Sequence, residues 1–384
     1  MGDAEAKAAP SIAPRDLHRT VSAGDRVTVL DLRDRDEVGA WRIEGEGVTV
    51  RQAPMMRFVA AEATGAVADL AAELDLREPV VVVCGEGEAS DHVAGLLAGA
   101  GIEARTLAGG MEAWADLYPA AGIEVGDATI VQYHRPSSGC LSYLIASGDE
   151  AAVVDPLRAF VDRYVEDAAE RGVSIAAAVD THVHADHVSG IRDLAAETGA
   201  RTVVPAGAPD RGLAFEAETV ADGGTITVGE AAIEARHAPG HTSEMTALSV
   251  DGVLLAGDSL FLESVARPDL ERGSEGARDL AEQLHDTLGD LRSLPEDTLL
   301  APGHVAPGAA PREDGAHAGR LGDLRERLDL LGLDRGAFVE RVLADLPPRP
   351  ANHERIIATN LGRETLGAAE AFELELGPNN CAVS

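Results

Sequence analysis

Thr181-His182-Val183-His184-Ala185-Asp186-His187-Val188-Ser189-Gly190 is the stretch on which the reading of this chain turns. Three imidazoles and a carboxylate fall within six residues, directly after the apolar run Ile175-Ala176-Ala177-Ala178-Val179. Neutral imidazole and carboxylate are the side chains that hold borderline divalent metals such as zinc and iron. A regular strand would send successive side chains to opposite faces, and a helix would fan out residues two apart. His182, His184, Asp186 and His187 can therefore converge only on a turn at a strand end. Gly190 and the helix-patterned stretch 191–197 follow, so the segment predicts strand, ligand loop, helix. A merely polar loop with solvated histidines would not explain so dense a cluster.

Downstream, three more apolar runs stop at a candidate ligand. Ala232-Ile233-Glu234-Ala235-Arg236 leads to His237-Ala238-Pro239-Gly240-His241. Val253-Leu254-Leu255-Ala256-Gly257 ends at Asp258, and Leu299-Leu300-Ala301-Pro302-Gly303 ends at His304. A glycine immediately before each of His241, Asp258 and His304 allows a tight turn and little crowding beside a metal. Four strand ends that deliver histidine or aspartate describe a single site.

The composition bounds the rest. A chain of 384 residues, 45% hydrophobic, has room for two domains with real cores. Its 66 Asp+Glu stand against 32 Lys+Arg, a net charge of −34, and Lys7 is the only lysine. Acids spread through the whole chain suggest a salt-loaded cytoplasm, where screening quiets self-repulsion. The same charge argues against nucleic acid or an anionic membrane as partner. Cys84, Cys140 and Cys381 are odd in number and far apart, which argues against a disulfide scaffold. Residues 1–14 have no apolar signal core and are expected to fray, and no apolar segment approaches 18 residues. The expectation is a soluble, cytoplasmic protein, with a homo-oligomer left open.

In the first third, Val27-Thr28-Val29-Leu30-Asp31-Leu32 and Pro79-Val80-Val81-Val82-Val83 predict buried strands, each leading into a helical pattern. Strands alternating with helices imply an α/β domain with a parallel sheet, whose ligands bind beyond the strand C-termini. Cys84 stands there, followed by Gly85-Glu86-Gly87-Glu88-Ala89-Ser90. A cysteine on such a loop is either a nucleophile activated by backbone N–H groups or a small hydrophobe ending a strand. The run 27–32, the Cys84 loop and Thr106-Leu107-Ala108-Gly109-Gly110-Met111-Glu112-Ala113-Trp114 together resemble the rhodanese family of sulfurtransferases, over residues 14–122. The family's Cys-x-x-Gly-x-Arg-Ser loop is matched by Cys84, Gly87 and Ser90. Ala89 replaces its arginine, and Glu86 and Glu88 oppose thiolate formation and anion binding. The resemblance implies either a sulfane-sulfur carrier on Cys84, with thiosulfate or sulfite as ligands, or a docking module that keeps the fold.

Ala120-Ala121-Gly122-Ile123-Glu124-Val125-Gly126 is the expected junction, and a second domain is expected over 126–384. The motif Thr-His-x-His-x-Asp-His at 181–187, with the strand-end ligands, resembles the metallo-β-lactamase superfamily from residue 126 to about 310. That implies an αββα sandwich with the metal at one edge of the two sheets; from about 310 onward the chain is expected to be helical. Gly257-Asp258-Ser259-Leu260-Phe261, Ala266-Arg267-Pro268-Asp269-Leu270 and Gly139-Cys140-Leu141-Ser142-Tyr143-Leu144 look most like the persulfide dioxygenases. The tail segments Pro347-Pro348-Arg349-Pro350-Ala351-Asn352 and Asn360-Leu361-Gly362 look similar to rhodanese-associated members.

The resemblance implies one Fe(II) per chain on His182, His241 and Asp258, with open positions for O2 and a small-molecule persulfide that leaves as sulfite and thiol. His184, Asp186, His187 and His304 would orient ligands and water. Arg267 would meet a substrate carboxylate or form a surface salt bridge. Where many of these enzymes have a tyrosine two residues after the matched histidine, this chain has Ala306, so the carrier is glutathione, another thiol or coenzyme A. The rival implication is a glyoxalase II-like thioester hydrolase with two zinc ions, one on His182, His184, His241 and Asp258, the other on Asp186, His187 and His304. His18, His92, His134, His285, His317 and His353 read as structural or surface groups, His237 as turn-forming or near the site, and Cys140 as packed between strands. Cys381 has no assigned place. The stretch 321–331 reads as a packed helix.

Overall fold

The structure is a computed structural model that describes residues 10–124, 126, 128–344 and 346–383. In the first domain five parallel strands lie in the order Ser11–Ile12, Ala104–Leu107, Val80–Val83, Val27–Asp31, Val48–Gln52. The central strands are apolar throughout because helices cover both faces. Leu30, Val80 and Val82 pack on one side with Phe58, Val93 and Leu97. Val27, Val29, Val81 and Val83 face the other way, onto Leu17, Val21 and Trp114. This is the period-two alternation of a strand buried on both sides. Residues 1–9 of the expected frayed end lie outside the described residues. From Pro10 the expectation fails: Ser11–Ile12 forms the edge strand, and Thr106 N–H donates to Pro10 O at 3.0 Å. The open edge of Ala104–Leu107 supplies the hydrogen bonds that order it.

The second domain has a seven-stranded and a six-stranded sheet packed face to face. Ile130, Tyr143, Val154 and Val179 of the first sheet meet Ile233, Leu248, Leu255 and Ala301 of the second in one apolar layer. On the outer face of the first sheet lie helices Val161–Arg171 and Ile191–Thr198, buried through Tyr164, Ala168 and Leu194. Outside the second lie Gly273–Leu291, Leu321–Arg327 and Arg335–Ala344, through Leu284, Leu288, Leu324 and Phe338. The order of layers is helix, sheet, sheet, helix, as expected. Past residue 310 the chain is helical, ending in His353–Asn360 and Ala368–Leu374. Among the described residues no helix is long and apolar enough to cross a membrane.

At the expected junction the chain already belongs to the second domain's sheet. Ala120–Glu124 pairs antiparallel with Thr129–Arg135 as an edge strand of the seven-stranded sheet; Val125 lies outside the described residues. Immediately before it, Tyr118 stacks on Phe160 at 4.0 Å and shares a buried hydroxyl cluster with Ser142 and Tyr164 at 2.6 Å each. The entry to the strand is thus fixed by the second domain's own core.

Three histidines meet where the domains touch. His18, on helix Pro14–Ser22, lies 5.4 Å between ring centroids from His134, which lies 4.6 Å from His317. Burial holds His18 and His317 down at about 4, and burial together with its two neighbours holds His134 well below its ordinary value. An unfolded histidine takes up a proton near pH 6.5, so the folded state binds fewer protons below that pH and loses stability as pH falls from about 6.5 towards 4. Thermal melts across that window should show the midpoint dropping by several degrees, and His134→Phe should flatten the drop. An unchanged slope in that variant would assign the acid sensitivity to other groups.

Candidate metal centre

Strand Ser174–Val179 hands the chain to a loop with no regular ladder, whose polar backbone must find partners elsewhere. Buried side chains supply them. Asp155 accepts from Thr181 N–H at 2.7 Å and from Thr181 Oγ1 at 2.9 Å. Glu244 accepts from Val183 N–H at 2.9 Å and Glu375 from Val188 N–H at 2.8 Å. Asn360 accepts from Ser189 N–H at 2.9 Å and donates to the carbonyls of His184 and His187 at 3.0 and 2.9 Å. Glu375 is held in turn by Arg135 at 2.6 Å, an ion pair wholly out of solvent.

The loop so fixed brings His182 to His241 and Asp258, with donor atoms within 4.8 Å of one another. His182 Nε2 lies 3.9 Å and His241 Nε2 3.5 Å from Asp258 Oδ2. All three residues are at most 1% exposed, and these three atoms have no hydrogen-bond partner. Orphaned buried polar atoms are unfavourable by about 1–3 kcal/mol each, and three aimed at one point fit a divalent cation. The far ring nitrogens are tied: His182 Nδ1 to Thr181 Oγ1 at 3.0 Å, His241 Nδ1 to Arg267 O at 2.9 Å. Since a carbonyl only accepts, His241 carries its proton on Nδ1 and turns the Nε2 lone pair inward. Burial keeps both imidazoles below their ordinary value, in the neutral ligating form. Burial alone would raise the Asp258 carboxyl, but the His304 charge beside it outweighs that and holds it below the usual carboxylate range.

His304 links the triad to the other predicted residues. Its Nδ1 meets Asp258 Oδ1 at 2.6 Å and its Nε2 meets Asp186 Oδ2 at 2.7 Å. Burial opposes a charge on this ring, and the two carboxylates overcome it, keeping His304 well above its ordinary value. Asp186 Oδ2 also takes His187 Nδ1 at 3.2 Å and the Cys140 thiol at 3.2 Å. His184 turns Nε2 away, to Asp155 Oδ1 at 3.1 Å, and leaves Nδ1 without a partner. The seven histidines and carboxylates singled out in the sequence thus share one buried region. The glycines behave as expected. A Cβ on Gly303 would stand 2.4 Å from Asp258 Oδ1, and Gly240, at φ +146°, would drive one into Leu284.

Other expectations need correction. Arg267 does not offer its guanidinium to a substrate: it is 1% exposed and spent on Asp269 at 2.7 and 3.1 Å and on the carbonyls of Pro348 and Asn380 at 2.8 and 3.1 Å. Its pairing is buried, so it is no surface salt bridge either. Cys140 packs in its strand as expected, yet its thiol reaches Asp186. Cys381 is fully buried within 4.8 Å of the Asp258 and His304 donors, its carbonyl taking Arg267 N–H at 2.9 Å. His237 is turn-forming, its Nε2 on Ser243 O at 2.9 Å. In the first domain Gly87 N–H points at Cys84 Sγ from 3.1 Å, with Ser90 Oγ at 3.6 Å. One backbone donor, rather than a cradle of several, faces that sulfur.

A cleft of about 720 Å³ opens onto Asp186 and His304. Phe261, Arg349 and Leu374 line it, and Gly39, Ala40 and Glu44 of the first domain close one side. Cys84 does not line it.

Residues 13–117 match the sequence model of the Rhodanese-like domain and residues 136–304 that of the Metallo-beta-lactamase superfamily. The chain is 30% identical over 181 residues to persulfide dioxygenase ETHE1, mitochondrial, of Homo sapiens, covering 45% of this chain and 66% of that protein. It is 34% identical over 161 residues to a hydroxyacylglutathione hydrolase of Xanthomonas campestris, covering 42% and 58%. The crystal structure of ETHE1 from Myxococcus xanthus superposes with a TM-score of 0.54 at 26% identity, covering 61% of this chain and 98% of that one. The chain therefore spans just under two thirds of the length of the human protein and less of the bacterial hydrolase.

Gly303→Ala tests the geometry. The added methyl must push the Asp258 carboxylate aside, and metal affinity is expected to fall about 10–100-fold, the effect of disturbing a ligand's immediate support. Metal titration alongside circular dichroism would show an unchanged fold with weakened binding. Wild-type affinity would mean that Asp258 is not a ligand.

Proposed function

We propose that the second domain is a mononuclear non-heme iron persulfide dioxygenase, converting a thiol persulfide, O2 and water to the thiol and sulfite. The observation that carries this reading is the trio of unpartnered donors, His182 Nε2, His241 Nε2 and Asp258 Oδ2. Two imidazoles and one carboxylate on one side of a ferrous ion would leave it free positions at which O2 and a sulfane sulfur can be neighbours. The chain's own residues do the rest. Thr181 and the Arg267 carbonyl fix the two rings. His304 bonds Asp258 and Asp186 through its two ring nitrogens and holds both carboxylates in place, with Asp258 Oδ2 left free toward the two imidazoles. Phe261, Val305 and Leu374 give the cleft apolar lining. Ala306 lines it at the position where many persulfide dioxygenases have a tyrosine, so the carrier thiol is placed by other groups. Likeness to a named persulfide dioxygenase, in sequence and in fold, agrees with this.

The second reading, a thioester hydrolase with two zinc ions, rests on the second donor group, Cys140, Asp186, His187 and His304, and on the unpartnered Asp186 Oδ1 and His187 Nε2. A relative of that named activity is similarly close.

For the first domain the reading is sulfane-sulfur transfer on Cys84. The thiolate would take the outer sulfur of thiosulfate, releasing sulfite and forming a cysteine persulfide. The Gly87 N–H is the group placed to stabilise the thiolate, while the Ser90 hydroxyl donates to Gly87 O at 2.6 Å and accepts from the thiol.

Protein purified without oxygen should carry about one iron per chain and consume O2 rapidly when given glutathione persulfide. Two zinc ions per chain with thioester cleavage and no oxygen uptake would replace the dioxygenase reading with its rival. Cys84→Ser should leave oxygen uptake intact and abolish thiosulfate turnover; turnover that survives the substitution would remove Cys84 from the chemistry.

A further inference from the structure

The cleft that opens onto Asp186 and His304 is lined by apolar residues, four acids, His304, the neutral polar Ser138, Ser264, Asn379 and Asn380, and one arginine. Asp186 and Glu375 face it but are buried and paired, with His304 and Arg135. Glu44 is held by Arg42 at 2.7 Å, and Glu263 stands exposed at the rim. Arg349 is the only arginine or lysine lining the cleft among the described residues.

Its setting is rigid. Pro348 and Pro350 flank it, the Pro348 carbonyl is pinned by Arg267 at 2.8 Å, and Arg349 Nε donates to Asp269 Oδ2 at 3.0 Å. The two terminal guanidinium nitrogens have no protein partner among the described residues, and the side chain is 37% exposed. A guanidinium anchored through Nε, with both Nη groups free, is shaped to take a carboxylate bidentately. On a chain of net charge −34, Arg349 is the solvent-facing cation of the cleft among the described residues, since His304 is buried between Asp258 and Asp186, and it selects for an anionic group as well as for shape.

Building on the oxidation reading above, we propose that Arg349 binds the carboxylate of the persulfide's carrier thiol, and that the carrier is of the amino-acid or small-peptide type, without phosphate. Phe261, Val305 and Leu374 would cover its aliphatic part. Coenzyme A would bring several phosphate charges to a cleft whose one solvent-facing cation among the described residues stands with four carboxylates. Arg349 is a positioning residue: it acts on where the substrate sits, not on the reacting sulfur.

The test uses the full-length, metal-loaded protein and Arg349→Gln, with glutathione persulfide, the uncharged hydroxyethyl persulfide and coenzyme A persulfide as probes. The substitution should raise KM for glutathione persulfide about tenfold, the weight of one charge-assisted hydrogen bond at a partly exposed site. Turnover number should stay within about twofold, and both constants for hydroxyethyl persulfide should stay unchanged. Calorimetry with reduced glutathione on metal-free protein should show the same loss of affinity. Coenzyme A persulfide should be a poor substrate of the wild type. Equal losses for the charged and uncharged persulfides, unaltered glutathione affinity, or efficient use of coenzyme A persulfide would each overturn the assignment. If the wild type oxidised no persulfide yet bound glutathione through Arg349, the oxidation reading alone would fail.

Discussion

A loop that buries His182, His184, Asp186 and His187 in one region cannot also be a helix or a strand, so its amides and carbonyls have no ladder to join. Burying them unpaired would be prohibitive in a domain whose net stability is a few kcal/mol. The structure meets this constraint with four acceptor-bearing side chains, Asp155, Glu244, Asn360 and Glu375, each bonded to the loop backbone. They come from four separate regions of the chain. Much of the second domain can be understood as what is needed to bring those regions to residues 181–190: the sandwich sets Asp155 beside the strand end, and the C-terminal helices bring Asn360 and Glu375 over the top.

The same accounting applies to charge. Asp186 and Asp258 are both out of solvent and close together, an arrangement that would push carboxylates towards protonation. His304, between them, resolves the conflict by donating to both. Outside, the acids far outnumber the bases; inside, a balanced set of imidazoles and carboxylates faces the candidate site. The acidic exterior and the poised interior are separate features of the chain.

What could be read from the sequence follows from how local the cause is. The ligand loop, the runs ending at His241, Asp258 and His304, and the glycines before them are short-range patterns, and the fold places them together. The parallel strands around Val29 and Val82 were legible because burial on both faces leaves an uninterrupted apolar run. Arg267 was misread because its motif shows a guanidinium but not where it points; only the fold brings Asp269, Pro348 and Asn380 around it. Cys381 gave no signal, since it is separated from Asp258 by more than a hundred residues and carries no motif. Asn360 lay in a quoted tail segment, but nothing in that segment said that its amide would bond to His184 and His187. Supports contributed by distant residues are set by tertiary packing, which no local window contains.

The tail that closes the centre has a consequence for assembly. Asn360 and Glu375 bond the backbone at Ser189 and Val188 from 171 and 187 residues farther along the chain. A chain cut anywhere between Gly190 and Asn360 would keep every residue of the loop that carries His182 and yet lack two of the four side chains that shape it. Docking of the tail is thus a condition for the loop's geometry, and a break far from the site in sequence would be felt at the site itself.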